Sequence, residues 1–208
     1  MRQKRASWRS RLACAVGCAL LGLLAGGAAA AGGATAAGEF HARVLPHAIE
    51  RSFQLLDHKG RLRASSEFKG QVVLLFFGFT HCPDVCPTEL ARLAELMARL
   101  EPDLARQVQV IFVTLDPERD TPALLGDYVS AFSPEFIALR GSAAETAEIA
   151  EAFRVFYRRV EGSAPGRYTL EHSAYIHAVD KQGRLRLRMP GSLEPGEMAD
   201  DVRLLLAE

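Results

Sequence analysis

Gly78-Phe79-Thr80-His81-Cys82-Pro83-Asp84-Val85-Cys86-Pro87 closes the apolar run Val72 to Phe79 and carries two cysteines with three residues between them. The run is rich in β-branched and aromatic residues, the pattern of a strand buried on both faces. Behind the cysteines, Leu90, Leu93, Met97 and Leu100 recur at helical spacing between Pro87 and Leu100. A buried strand feeding through a short loop into a helix is the unit from which α/β sheets are built. The cysteines then sit at the carboxyl end of the strand, where such sheets place their sites.

The rest of the chain extends this unit. Phe53 to Leu56 and Arg61 to Arg63 read as a hairpin around Asp57-His58-Lys59-Gly60, and Val108 to Leu115 is a second apolar strand. Thr121-Pro122 opens a helix, with Thr as N-cap and Pro at the first position. Ala143 to Phe153 is a further helix. Tyr168 to Val179 and Arg184 to Met189 are expected strands around Asp180-Lys181-Gln182-Gly183, and Pro195 to Leu206 a closing helix. This order predicts an α/β domain with a central mixed sheet flanked by helices. No internal repeat is present.

The 208 residues have room for one domain of ordinary size. Arg2, Lys4, Arg5, Arg9 and Arg11 make a basic start, and Leu12 to Ala31 is an uncharged Leu, Ala and Gly run. Residues 1–31 therefore read as a signal peptide or an N-terminal membrane anchor. Residues 32–51, opening with the small residues Gly32 to Gly38, read as a tether, and 52–208 as the domain. The basic start puts the amino end in the cytoplasm and the domain in the periplasm, soluble or tethered to the inner membrane. Without the leader, the balance of 25 basic and 25 acidic residues loses five basic ones and becomes mildly acidic. No basic patch interleaved with aromatics is visible, which argues against nucleic acid as a partner.

Cys14 and Cys18 fall in the leader, which leaves Cys82 and Cys86 as the thiols of an exported domain. A structural disulfide is the plain reading in an oxidising compartment. A loop of about five residues, however, gives only roughly 2 kcal/mol of chain-entropy stabilisation. A helix amino terminus instead favours thiolate, the form that attacks disulfides or binds metal. Pro83 and Pro87 stiffen the loop. The two sulfurs can converge on each other, as a redox-active disulfide, or on one ion.

Two sulfurs make an incomplete metal site. His41, His47 and His58 lie in the tether or first turn, and the backbone direction carries His81 away from the cysteines. His172 and His177, five apart in one expected strand, face opposite sides and cannot both serve. Spacing alone leaves the choice between them open.

Gly78 to Pro87, together with Val113-Thr114-Leu115-Asp116-Pro117-Glu118-Arg119-Asp120-Thr121-Pro122 and His172-Ser173-Ala174, resembles the Sco/SenC family of copper chaperones from about Ser52 to the end. The resemblance implies a thioredoxin-like fold and one copper ion, Cu(I) or Cu(II), bound by Cys82, Cys86 and His172. It implies delivery to the dinuclear copper site of cytochrome c oxidase subunit II. Where the family usually has Tyr or Phe this chain has His177, and Glu171 stands in place of Asp. Two thiolates and an imidazole suit soft, three-coordinate Cu(I), whereas Zn seeks a closed tetrahedron. The resemblance also places the Asp116 to Pro122 loop near the site, although its residues equally make a good loop and helix cap.

The alternative reading is a thiol-disulfide reductase acting on the cysteines of that oxidase site, for which one low-pKa cysteine and a resolving partner suffice. A peroxidase is disfavoured, since Thr80 is two rather than three residues before Cys82. Exposure to an oxidising space further predicts a periplasmic thioredoxin-like reductase as partner.

Overall fold

The computed structural model describes residues 38–164 and 166–208. The expected signal or anchor at 1–31, with Cys14 and Cys18, and the opening of the tether lie outside the described residues. Three strands come first, β1 (Arg43–Glu50), β2 (Gln54–Asp57) and β3 (Leu62–Ala64), followed by β4 (Val72–Gly78). Helix α1 (Val85–Arg99) and the short α2 (Pro102–Ala105) lead to β5 (Val108–Thr114). Next come α3 (Pro122–Ser130), β6 (Ile137–Arg140), α4 (Ala143–Ala152), β7 (Tyr157–Glu161), β8 (Tyr168–His172), β9 (Ile176–Val179), β10 (Arg184–Met189) and α5 (Pro195–Ala207). Eight strands form one mixed sheet in the order β1-β10-β9-β4-β5-β6-β2-β3, and β7 and β8 form a separate two-stranded ribbon.

Strand β4 is central and every residue of it is buried. It pairs in parallel with β5 and antiparallel with β9. Its side chains alternate between two cores, as the twofold period of a strand requires. Val72, Leu74 and Phe76 pack with Leu90, Leu93 and Leu96 of α1, Leu125 of α3 and Val202 of α5. Val73, Leu75 and Phe77 face the other way, against Ile149 and Ala150 of α4 and against Phe153. The all-apolar run is thus explained by helices on both faces. Gly78 ends the strand on the α1 side and points at the cysteines.

Two expectations are corrected. The tether does not reach residue 51, because Arg43–Glu50 pair with β10 at the sheet edge. Composition hid this strand, since Pro46 and a bulge between Val44 and Ile49 break its pattern. Its entry is fixed by buried Asp201 of α5, which accepts from the amides of His41 at 2.7 Å and Ala42 at 2.8 Å. Nor is Tyr168 to Val179 one strand. Ser173, Ala174 and Tyr175 break it, so His172 ends the β7–β8 ribbon while His177 lies in the main sheet.

Candidate metal centre

The loop between β4 and α1 carries Cys82, and the first turn of α1 carries Cys86. Cys82 is half-buried and Cys86 fully buried, both as free thiols. The backbone N–H of Cys86 donates to Sγ of Cys82 at 3.4 Å, so the sulfur caps an otherwise unsatisfied helix donor. This contact and the Cys86 thiol set the charge of the pair. Cys82 is lowered to about 5, first by the hydrogen bond from the Cys86 side chain, against burial and with help from the amides of Asp84 and Cys86 and from His172. Cys86 is pushed up, by that same shared proton and by burial. At neutral pH the pair is therefore one thiolate, on Cys82, and one thiol.

His172 reaches the pair from the end of β8. Its Nε2 lies 3.5 Å from Sγ of Cys86, while Nδ1 lies 2.9 Å from the carbonyl oxygen of Ser173. A carbonyl can only accept, so Nδ1 carries the proton and the Nε2 lone pair is free to face the sulfurs. The rings of Phe79 and Phe76 meet the imidazole edge-on at 5.9 Å and 6.3 Å and hold its plane. The Cys82, Cys86 and His172 ligand atoms all lie within 4.8 Å of one another. Among the described residues this is the only such group of three.

His177 is elsewhere. It is buried between Phe77 and Phe153, whose rings stand edge-on to it at 5.6 Å and 5.8 Å, on the face opposite the cysteines. Neither of its ring nitrogens has a partner among the described residues. His81 also turns away, with Nδ1 3.1 Å from the Thr80 hydroxyl.

The Asp116 to Pro122 loop ties the two halves of the site together. Buried Asp120 accepts from the Thr80 amide at 3.1 Å, the Thr80 hydroxyl at 2.6 Å and the Thr114 hydroxyl at 2.6 Å, which fastens the start of the cysteine loop. Asp116 accepts from Arg119 Nε at 2.6 Å and from the Tyr168 hydroxyl at 2.8 Å. The Arg119 guanidinium stacks 3.6 Å above the Tyr168 ring, with Arg159 3.7 Å from the same ring, and it also donates to the Tyr168 carbonyl at 2.9 Å. Tyr168 opens the strand that ends in His172. Thr121 caps α3 as expected, its hydroxyl accepting from the Leu124 amide at 3.3 Å. Sequence reasoning missed Gly78 and Tyr168 as parts of the site.

A SCO1/SenC family profile matches residues 42–207. The mitochondrial SCO2 homolog of Bos taurus is 39% identical over 156 residues, which cover 74% of this chain and 59% of that protein. The chain thus spans well under two thirds of that relative. ScoI of Bradyrhizobium japonicum, solved with copper bound, is 40% identical with a TM-score of 0.69, over 75% of this chain and 98% of the other. ScoI of Arabidopsis thaliana, also solved with copper bound, is 29% identical with a TM-score of 0.71, over 77% of this chain and 100% of the other. The fold is the thioredoxin-like one of the Sco structures. A matched profile that contains both cysteines, the Asp116 to Pro122 loop and His172, on a shared fold, makes this chain a member of the SCO1/SenC family.

Proposed function

We propose that this chain carries one copper ion on Cys82, Cys86 and His172 and passes it to the dinuclear copper site of cytochrome c oxidase subunit II. The convergence within 4.8 Å of three ligand atoms, from the β4–α1 loop, helix α1 and strand β8, carries this reading. Two sulfurs and one neutral imidazole match the soft, low-coordinate preference of Cu(I). Membership in a family of cytochrome c oxidase assembly proteins supports the acceptor. Cys82 offers a thiolate, Cys86 loses a proton as the metal arrives, and His172 offers Nε2. Release is helped by the half-exposure of Cys82 and His172 on one side of the site.

The domain works in the periplasm, from residues 52–208 together with strand β1, behind the leader at 1–31. There an exchanging disulfide of the oxidising compartment takes two electrons and two protons from the two thiols, which become a disulfide and lose their affinity for metal. A thioredoxin-like reductase restores them by supplying two electrons and two protons. The test is Cu(I) binding by purified full-length protein, reduced, with Cys82→Ala, Cys86→Ala and His172→Ala alongside. One ion per chain in the wild type, lost in all three variants, is the expected result. Undiminished affinity in His172→Ala overturns it.

A second reading has its own support in the low pKa of Cys82, the property of an attacking thiol in a disulfide reductase. Attack by Cys82 on a substrate disulfide, resolved by Cys86, would leave an oxidised pair and two substrate thiols. Oxidase assembly in a deletion strain separates the two readings. A reductase tolerates His172→Ala, whereas a copper carrier does not.

A further inference from the structure

On the α4 face, away from the cysteines, the bulge of β1 and the end of α4 enclose a cavity of about 180 Å³. Arg43, Arg51, Arg154 and Arg188 line it, with His47 beside them and an apolar floor that includes Phe153 and Leu185. No carboxylate lines it among the described residues. Eleven of the described arginines pair with an Asp or Glu, and these four do not. Glu50, the nearest acid in sequence to Arg51, is engaged by Lys69 at 3.4 Å.

Three features of this arrangement are energetically costly. Arg43 and Arg188 are register partners on neighbouring antiparallel strands, where like charges repel. The Nε atoms of Arg51 and Arg188 are buried without a partner among the described residues, although Nη2 of Arg188 donates to the Phe153 carbonyl at 3.0 Å. Arg154 has φ +54°, a left-handed position after α4 that Gly fills at least cost. Burial first, then repulsion from Arg154, Arg43 and Arg51, holds Arg188 below the usual arginine range. One multivalent anion answers the first two together, because it supplies acceptors to the orphaned donors and separates the like charges, and it gives position 154 a reason to carry Arg rather than Gly.

We propose that this cavity is a binding site for a phosphate-class oxyanion, gripped by Arg43, Arg51, Arg154 and Arg188. Guanidinium forks match the oxygens of phosphate two at a time, which favours phosphate over a single carboxylate for a cluster of four. The same chemistry is offered by free phosphate and by the phosphodiester headgroup of an anionic lipid. The cavity shares no residue with Cys82, Cys86 and His172, so the proposal stands apart from the copper reading.

The test uses full-length protein in non-ionic detergent at ionic strength fixed with chloride. Inorganic phosphate is titrated in one arm and glycerophosphoglycerol, the water-soluble headgroup of phosphatidylglycerol, in the other, read by calorimetry and by thermal unfolding. One saturable site per chain is expected, with a higher unfolding temperature when it is filled. Tighter binding in one arm identifies the source. Arg188→Gln and Arg154→Gly should each weaken binding at least tenfold. Arg154→Gly relieves the left-handed backbone and so keeps its fold, with an unfolding temperature in chloride alone no lower than that of the wild type. Binding of neither probe beyond the chloride control, or unchanged affinity in Arg154→Gly, overturns the proposal.

Discussion

A Cβ placed on Gly78 would stand 2.7 Å from Sγ of Cys86 and 2.9 Å from the Phe112 ring. The last residue of the central strand is bare so that the buried sulfur can occupy the space a side chain would take. Gly78→Ala must push either the sulfur or the strand. It should cost about 1–3 kcal/mol of stability, as overpacking does, and weaken Cu(I) binding. Chemical denaturation together with a Cu(I) competition assay checks both, and native stability with native affinity would refute the fit.

The proton inventory of the cysteine pair gives a second expectation. With Cys82 near 5 and Cys86 raised, Cu(I) binding at neutral pH should release about one proton per chain rather than two. Calorimetry in two buffers of different ionisation enthalpy measures this number. Alkylation should select Cys82 with a midpoint near pH 5, and that midpoint should rise in Cys86→Ala, which removes the donor named first among its causes.

The Arg119–Tyr168 stack predicts a loss of affinity without loss of fold. Arg119→Ala removes the cation above the Tyr168 ring and the bond to its carbonyl, freeing the strand that carries His172. Faster amide hydrogen exchange at 168–172 and roughly tenfold weaker Cu(I) binding are expected, from the loss of about 1–2 kcal/mol of cation–π and charged hydrogen bonding. Tyr168→Phe removes only the bond to Asp116 and should show a smaller change in both measurements.

His177 makes stability depend on pH. Burial, and then the nearby charge of Arg188, lowers it to about 3 from 6.5. The unfolded chain therefore binds a proton that the folded chain refuses. Stability from this group is full above pH 6.5 and is lost as pH falls towards 3, by up to about 1.4 kcal/mol per unit. His177→Phe removes two unpartnered buried nitrogens and should gain stability, more at pH 5 than at pH 7. Urea unfolding at both values tests it, and an equal gain at each pH would contradict the assignment.

Much of the site can be read along the chain because its chemistry is local. A buried strand, two cysteines at its carboxyl end and a helix behind them follow from residue type and period, and these place Cys82 and Cys86 within reach of each other. The cap on α3 is legible for the same reason, since Thr121 and Pro122 act within one turn. Strand β1 was not legible, because its pairing is supplied by the open edge of β10 rather than by its own pattern. The break at Ser173–Tyr175 was missed because an apolar stretch looks alike whether it stays in one sheet or passes between two.

What the sequence by itself determined is the chemistry available: two thiols on a stiff loop and two histidines that could complete them. Residue spacing left the choice between them open and the resemblance implied His172; only the tertiary structure shows which of the two stands beside the sulfurs. The chain leaves the ribbon at Ser173 and enters the main sheet at Ile176, so His172 ends 3.5 Å from Cys86 while His177 is carried to the far core between Phe77 and Phe153. The charge order of the cysteines was likewise a tertiary outcome, since it depends first on the proton shared between the two sulfurs and then on the full burial of Cys86. Local pattern specifies which groups a segment carries. Their meeting depends on contacts between segments far apart in the chain, and no period along the sequence encodes those.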